Sequence, residues 1–205
     1  PFSNRIRDGR FTFGGRAVEL PLNQWPQPHA EHGHGWQVAW TVVERADDRL
    51  ALEYDHPAGA WPFPYRARQE FLLTGEELRL TLSIENRGGE TMPAGLGFHP
   101  YFPRTARCRL SAQVDAMWAT DAEVMPTALT DADPRLRSGD GLPIVEVVLD
   151  NVFAGWQRQA TIAWPESGAR LSLDAGPPLG FLVVYSPAGE DFFCAEPVSH
   201  CTDAF

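Results

Sequence analysis

Eighteen prolines and eighteen glycines are spread through this chain so that no window keeps the i, i+3, i+4, i+7 apolar spacing of an amphipathic helix. What survives between them are short runs in which apolar and polar residues alternate, the pattern of half-buried strands. Leu78, Leu80, Leu82 and Ile84 alternate with Arg79, Thr81, Ser83 and Glu85 before Asn86-Arg87-Gly88-Gly89 turns the chain. Gly14-Gly15 stands between two further runs, 10–13 and 16–20, and signals a hairpin. Other strand-like runs occupy 38–43, 50–54, 66–73, 109–114, 145–149, 161–164, 169–173 and 181–185, whereas 131–141 is polar and loop-like. The pattern predicts an all-β fold, a sandwich or a large barrel. No internal repeat or low-complexity linker divides it, so residues 1–205 are expected to form a single domain.

With 205 residues, 43% of them hydrophobic, the chain has enough apolar material for one sizeable core. No run of about 18 apolar residues offers a membrane span. The formal charge of −10 opposes binding to nucleic acid or to an anionic membrane and leaves a small or neutral ligand as the expected partner; oligomeric state is not legible. All cationic side chains are Arg, which removes lysine Schiff-base chemistry. Cys108, Cys194 and Cys201 are odd in number and lack a C-x-x-C pair, so free thiols and a cytoplasmic location are expected. Neither a basic n-region nor an apolar h-region follows Pro1, so no secretory signal is expected.

The segment Gly95-Leu96-Gly97-Phe98-His99-Pro100-Tyr101-Phe102 sets one histidine between a glycine pair and a proline-aromatic run. The glycines allow a ligand or neighbouring backbone to approach closely, and Pro100 limits the backbone after the imidazole, so this reads as an active-site strand carrying His99. The bland alternative is a hydrogen-bonded interior histidine. Near the C-terminus, Phe192-Phe193-Cys194-Ala195-Glu196-Pro197 puts a carboxylate straight after an apolar run. Buried there, Glu196 must be paired, hydrogen-bonded or functional, and it joins His99 as the best acid–base pair available. Asp150 follows the apolar run 145–149, where it is expected at a strand terminus, as a turn former or a ligand. His29, His32 and His34 crowd a glycine-containing, flexible loop, and an H-x-H pair can hold a metal ion, but no further ligand stands at recognisable spacing. Trp36 and Trp40 follow, as core aromatics or as faces on which a sugar ring could stack.

Asn4-Arg5-Ile6 with Gly9-Arg10-Phe11, His32-Gly33 with Trp36 and Trp40, Gly97-x-His99-Pro100-Tyr101-Phe102, Leu149-Asp150-x-x-Phe153 and Cys194-x-Glu196-Pro197 occur in the order found in the aldose 1-epimerase (galactose mutarotase-like) family. The resemblance spans almost the whole chain and implies the family's large antiparallel supersandwich. Family members usually begin several strands before the Asn-Arg motif and continue beyond the glutamate, so terminal strands are expected to be missing at both ends. Position by position, Glu196 matches the general base and His99 the general acid; His32 matches a second histidine near the ring oxygen or anomeric centre. Arg5, with Asn4 beside it, matches a sugar-binding arginine, and Asp150 matches a carboxylate that holds substrate hydroxyls. Trp36 is expected to line the sugar site, and His34 has no family role.

The implied reaction interconverts α and β anomers of an aldose and needs no cofactor or metal. A base takes the C1 hydroxyl proton while an acid protonates the ring oxygen; C1–O5 opens, C1–C2 rotates, and the steps reverse. Two other classes stay open: a catalytically silent carbohydrate-binding β-sandwich, and a cupin-like metalloenzyme using His32 and His34.

Overall fold

The computed structural model describes residues 1–205 as strands joined by turns, with three short 3-10 segments, 7–9, 134–137 and 144–146. Every paired strand is antiparallel, as the family resemblance implies. No helix is long and apolar enough to cross a membrane. The chain forms two compact units, Pro1–Leu96 together with Phe205, and Gly97–Ala204.

The first unit contains β1 (Arg5–Ile6), β2 (Arg10–Phe13), β3 (Arg16–Glu19), β4 (Ala30–Glu31), β5 (Thr41–Arg45), β6 (Arg49–His56), β7 (Tyr65–Thr74) and β8 (Glu77–Asn86). The expected hairpin is β2–β3, with Gly14 and Gly15 both at positive φ in its turn. β1 pairs with β4, and β5 to β8 form a four-stranded meander. Phe2, Phe11 and Trp61 pack around Phe205 in an aromatic core. The alternation in β8 is present, but its apolar face is not half-buried throughout. Leu78 is 59% exposed and Leu80 is also exposed, while Leu82 and Ile84 are partly covered. Ile84, with Tyr54 across the sheet, packs on the aromatic core, which does not reach the Gly75 turn. The opposite face of the meander is a ladder of ion pairs, Arg66 with Asp55 and Arg68 with Glu53 and Glu70. Such exposed pairs contribute little stability and chiefly keep that face wet.

The second unit contains β9 (Tyr101–Pro103), β10 (Arg109–Ala112), β11 (Ala116–Thr120), β12 (Pro126–Asp131), β13 (Leu142–Pro143), β14 (Leu149–Ala154), β15 (Gln159–Trp164), β16 (Ala169–Asp174), β17 (Phe181–Ser186) and β18 (Phe192–Val198). They make a four-stranded sheet, β13-β10-β15-β16, and a six-stranded sheet, β12-β11-β14-β17-β18-β9. Leu110 and Ile162 of the smaller sheet join Phe153, Leu182, Val184 and Phe193 of the larger in one buried cluster, the packing of a β-sandwich. The 131–141 stretch is less loop-like than its polarity suggests. Asp133 accepts a hydrogen bond from Arg135 N–H to cap the 3-10 turn, and Leu136 is buried in the core. The run 145–149 is not a strand either. It crosses the end of a 3-10 turn, and the strand begins only at Leu149.

Candidate functional site

Period-two alternation sorts the six-stranded sheet into two faces. Phe193 and Ala195 point into the sandwich core, so Cys194 and Glu196 leave β18 on the opposite face. Registers extend that face across four strands: Asp150 pairs with Tyr185, Tyr185 with Cys194, and Cys194 with Tyr101. Two residues further along β18, Glu196 pairs with Val183. Val152, Val183 and Val198 are buried around it, and Glu196 itself is only 2% exposed. An ionised carboxylate in such a setting needs specific partners, because apolar walls do not replace its hydration.

His99 supplies one of them: its Nε2 lies 3.4 Å from Glu196 Oε1. The contact follows from register. Tyr101 pairs with Cys194 and an isolated bridge joins Gly97 to Val198, so His99 falls opposite Glu196 between these two fixed points. The expected active-site strand is therefore shorter than its motif suggests. Regular pairing starts at Tyr101, because Pro100 has no N–H for the ladder, while Phe98 N–H donates to the Pro197 carbonyl and carries the alignment across the gap. The Tyr101 ring stacks on the His99 imidazole, with centroids 5.0 Å apart and planes at 15°. Asp150 stands near the start of β14 rather than at the end of a strand.

The first unit gathers its own group. Arg5 and Glu31 are direct partners in the β1–β4 ladder, and Arg5 Nη2 lies 3.2 Å from Glu31 Oε1. Both Arg5 N–H and its Nη1 donate to Asn4 Oδ1. Asn4 and His32 lock each other: Asn4 N–H donates to His32 Nδ1 at 3.0 Å, and His32 N–H donates to the Asn4 carbonyl at 2.9 Å. Each holds a left-handed backbone, with φ of 59° and 53°. Asn and His tolerate that conformation better than most residues, and such geometry concentrates at ligand sites. Because Nδ1 accepts, the neutral His32 ring carries its proton on Nε2. The histidine loop is thus pinned rather than flexible. Trp36, 55% exposed, donates its indole N–H to the Gly33 carbonyl.

The other histidines do not assemble a metal centre with His32. His29 is fully buried, its Nδ1 accepting Asp8 N–H and so bracing the tight turn before β2. His34 places Nε2 2.8 Å from the Tyr65 hydroxyl and packs, tilted by 38°, against the His56 ring with centroids 4.3 Å apart. Burial, helped by the neighbouring His56, brings the His34 pKa down to about 4. The group that does bring metal-capable atoms together is His99, Cys194 and Glu196.

A model of the aldose 1-epimerase family matches residues 1–205. The chain belongs to this family. Among its relatives, the uncharacterised protein YphB of Escherichia coli K12 is 37% identical over 211 residues, which span 99% of this chain and 72% of that protein. A solved E. coli K12 structure described as a putative aldose 1-epimerase matches with a TM-score of 0.90 at 34% identity, covering 99% of this chain and 72% of that one. Mouse galactose mutarotase is 28% identical over 139 residues, 62% of this chain and 39% of the mouse protein. The fold is accordingly the antiparallel β-sandwich of galactose mutarotase-like proteins.

Within an aldose 1-epimerase fold, the Asp150–Glu196 face offers a carboxylate, an imidazole and aromatic walls. Burial lowers the His99 pKa below the ordinary 6.5, and the Asp150 charge works against that shift. Burial, with Glu196 and Asp150 nearby, pushes the Cys194 thiol up to about 12. The alternating pattern of the sequence does not reveal Glu31, Tyr101 or Tyr185 as members of these groups. Tyr101 sits inside the His99 motif and its i, i+2 spacing could have marked it; Glu31 and Tyr185 become evident only through strand pairing.

Proposed function

We propose that this chain is a mutarotase that interconverts the α and β anomers of an aldose. The observation that carries the reading is the contact between His99 Nε2 and Glu196 Oε1 on one sheet face, with Glu196 buried. The reaction needs a base at the C1 hydroxyl and an acid at the ring oxygen. Both oxygens are bonded to C1, so an acid and a base held in contact distance can serve them in one step. Glu196 takes the hydroxyl proton and His99 protonates the ring oxygen; after rotation about C1–C2 the transfers run backwards on the other face. Asp150, on the same face, supports His99 as a proton donor by raising its pKa and accepts sugar hydroxyls. Family membership extends the reading to Asn4, Arg5, His32 and Trp36 as sugar-binding groups. The locked Asn4–His32 pair and the Arg5–Glu31 pair support that role, since pre-ordered polar groups lose little entropy on binding.

The test is NMR measurement of anomer exchange across neutral, phosphorylated and acidic sugars, corrected for the spontaneous rate. A catalysed exchange with at least one aldose is expected. Sugar binding with no catalysis anywhere in the panel would instead identify a silent carbohydrate-binding sandwich.

A further inference from the structure

The His99–Glu196 contact has a third member that acid–base chemistry does not use. One ligand-capable atom from each of His99, Cys194 and Glu196 lies within 4.8 Å of the other two. The backbone fixes this arrangement: Cys194 and Glu196 are two apart on one face of β18, and the β9–β18 register aligns His99 with Glu196. Cys194 and Glu196 are buried, while His99 is partly open to solvent. In a tetrahedral zinc site, bonds of about 2.0–2.2 Å to nitrogen and oxygen and about 2.3 Å to sulfur make the N–O edge roughly 3.4 Å and the edges to sulfur roughly 3.6 Å. The observed N–O separation of 3.4 Å already matches such an edge, and the two edges to sulfur, at most 4.8 Å, need to shorten by no more than about 1.2 Å.

We propose that His99, Cys194 and Glu196 form a three-ligand site for Zn²⁺, with the fourth position left to water on the solvent side of His99. One imidazole, one thiolate and one carboxylate suit a borderline ion; Mg²⁺ and Ca²⁺, which take oxygen ligands, are not held by this set. On binding, the Cys194 thiol gives its proton to solvent as the S–Zn bond forms, and His99 and Glu196 each donate a lone pair. Zinc thereby occupies the imidazole nitrogen that must carry the acid's proton and the carboxylate that must take the hydroxyl proton. Zinc therefore inhibits, a consequence that rests on the proposed function, whereas the binding itself does not.

Zinc-free full chain is titrated with ZnCl₂ by calorimetry, and separately with CoCl₂ while the near-ultraviolet spectrum is followed. One equivalent of zinc and a thiolate-to-cobalt charge-transfer band are expected, with neither reproduced by MgCl₂. Cys194→Ala should weaken zinc by at least about a hundredfold and abolish the band, since losing a ligand costs no less than losing an outer-shell partner; Cys201→Ser should change neither. Undiminished zinc affinity in a folded Cys194→Ala, loss of the band in Cys201→Ser instead, or no band in the parent protein overturns the site. In the anomer-exchange assay zinc should slow the parent reversibly with EDTA and spare Cys194→Ala. Zinc binding without any sugar activity removes the mutarotase reading and leaves the metal site standing; activity indifferent to zinc, with no zinc bound, does the reverse.

Discussion

His99 Nε2 stands 3.4 Å from Glu196 Oε1 because two fixed points of the β9–β18 alignment, Tyr101 against Cys194 and Gly97 against Val198, set His99 opposite Glu196 across the strand. The separation is long for a hydrogen bond and short enough for one sugar carbon to present its two oxygens to both groups.

Glu196→Gln keeps shape and hydrogen-bonding capacity but cannot take a proton at neutral pH. Turnover should fall by about 10² or more while sugar affinity stays within roughly tenfold, because the lost interaction acts mainly in the transition state. His99→Asn should behave similarly from the acid side. Anomer exchange and calorimetry on the same sugar check both; near-parental turnover in either folded variant would move the chemistry to other residues.

The charge of Asp150 makes a separate claim. As an acid, His99 works only when protonated, so kcat/KM should fall as pH rises through its pKa. Burial has lowered that pKa beneath 6.5, and Asp150 partly restores it. Asp150→Asn removes the restoring charge, so the alkaline limb of the pH profile should move to still lower pH. A limb that stays in place or moves up would mean that another group controls it.

The β character of the chain is legible in its sequence because alternation survives wherever glycine and proline do not intrude. Strands β11 and β12 escape detection: Ala116–Thr120 and Pro126–Asp131 are short and weakly contrasted. The run 145–149 misleads in the opposite direction, its apolar residues serving a 3-10 turn and a strand start rather than a strand. Glu196 stands out because a carboxylate amid Phe193, Cys194 and Ala195 is costly to bury unpartnered. Its contact with His99 depends on pairing between β18 and the segment before β9, which no local pattern encodes. The same holds for Arg5 with Glu31, whose strands are two residues each.

Gly33 has φ of +61°, and a Cβ there would come within 2.9 Å of Pro1 Cδ and N. Gly33→Ala should therefore strain the turn that follows His32, destabilising the protein by about 1–2 kcal/mol from the left-handed backbone alone. With the Asn4–His32 lock disturbed, KM should rise more than kcat falls. Denaturant titration and steady-state kinetics test this; parental stability together with parental KM would show that the loop is not held as described.

His34 offers a pH test independent of sugar chemistry. Its pKa is about 4 in the folded protein against an ordinary 6.5, so between those values the unfolded chain holds the extra proton. The stability that His34 contributes is fully present above about pH 6.5 and is lost as pH falls toward 4. Acid also titrates carboxylates, so the informative quantity is a difference. His34→Gln keeps a polar partner for the Tyr65 hydroxyl but cannot titrate, and its thermal midpoint should fall less steeply than the parent's across this window. His56, whose pKa burial also lowers, remains to give the variant a residual slope. Thermal unfolding followed by circular dichroism from neutral pH to pH 4 supplies both curves. Parallel curves would mean that His34 is as readily protonated in the folded chain as in the unfolded one, and that its contact with His56 carries no electrostatic cost.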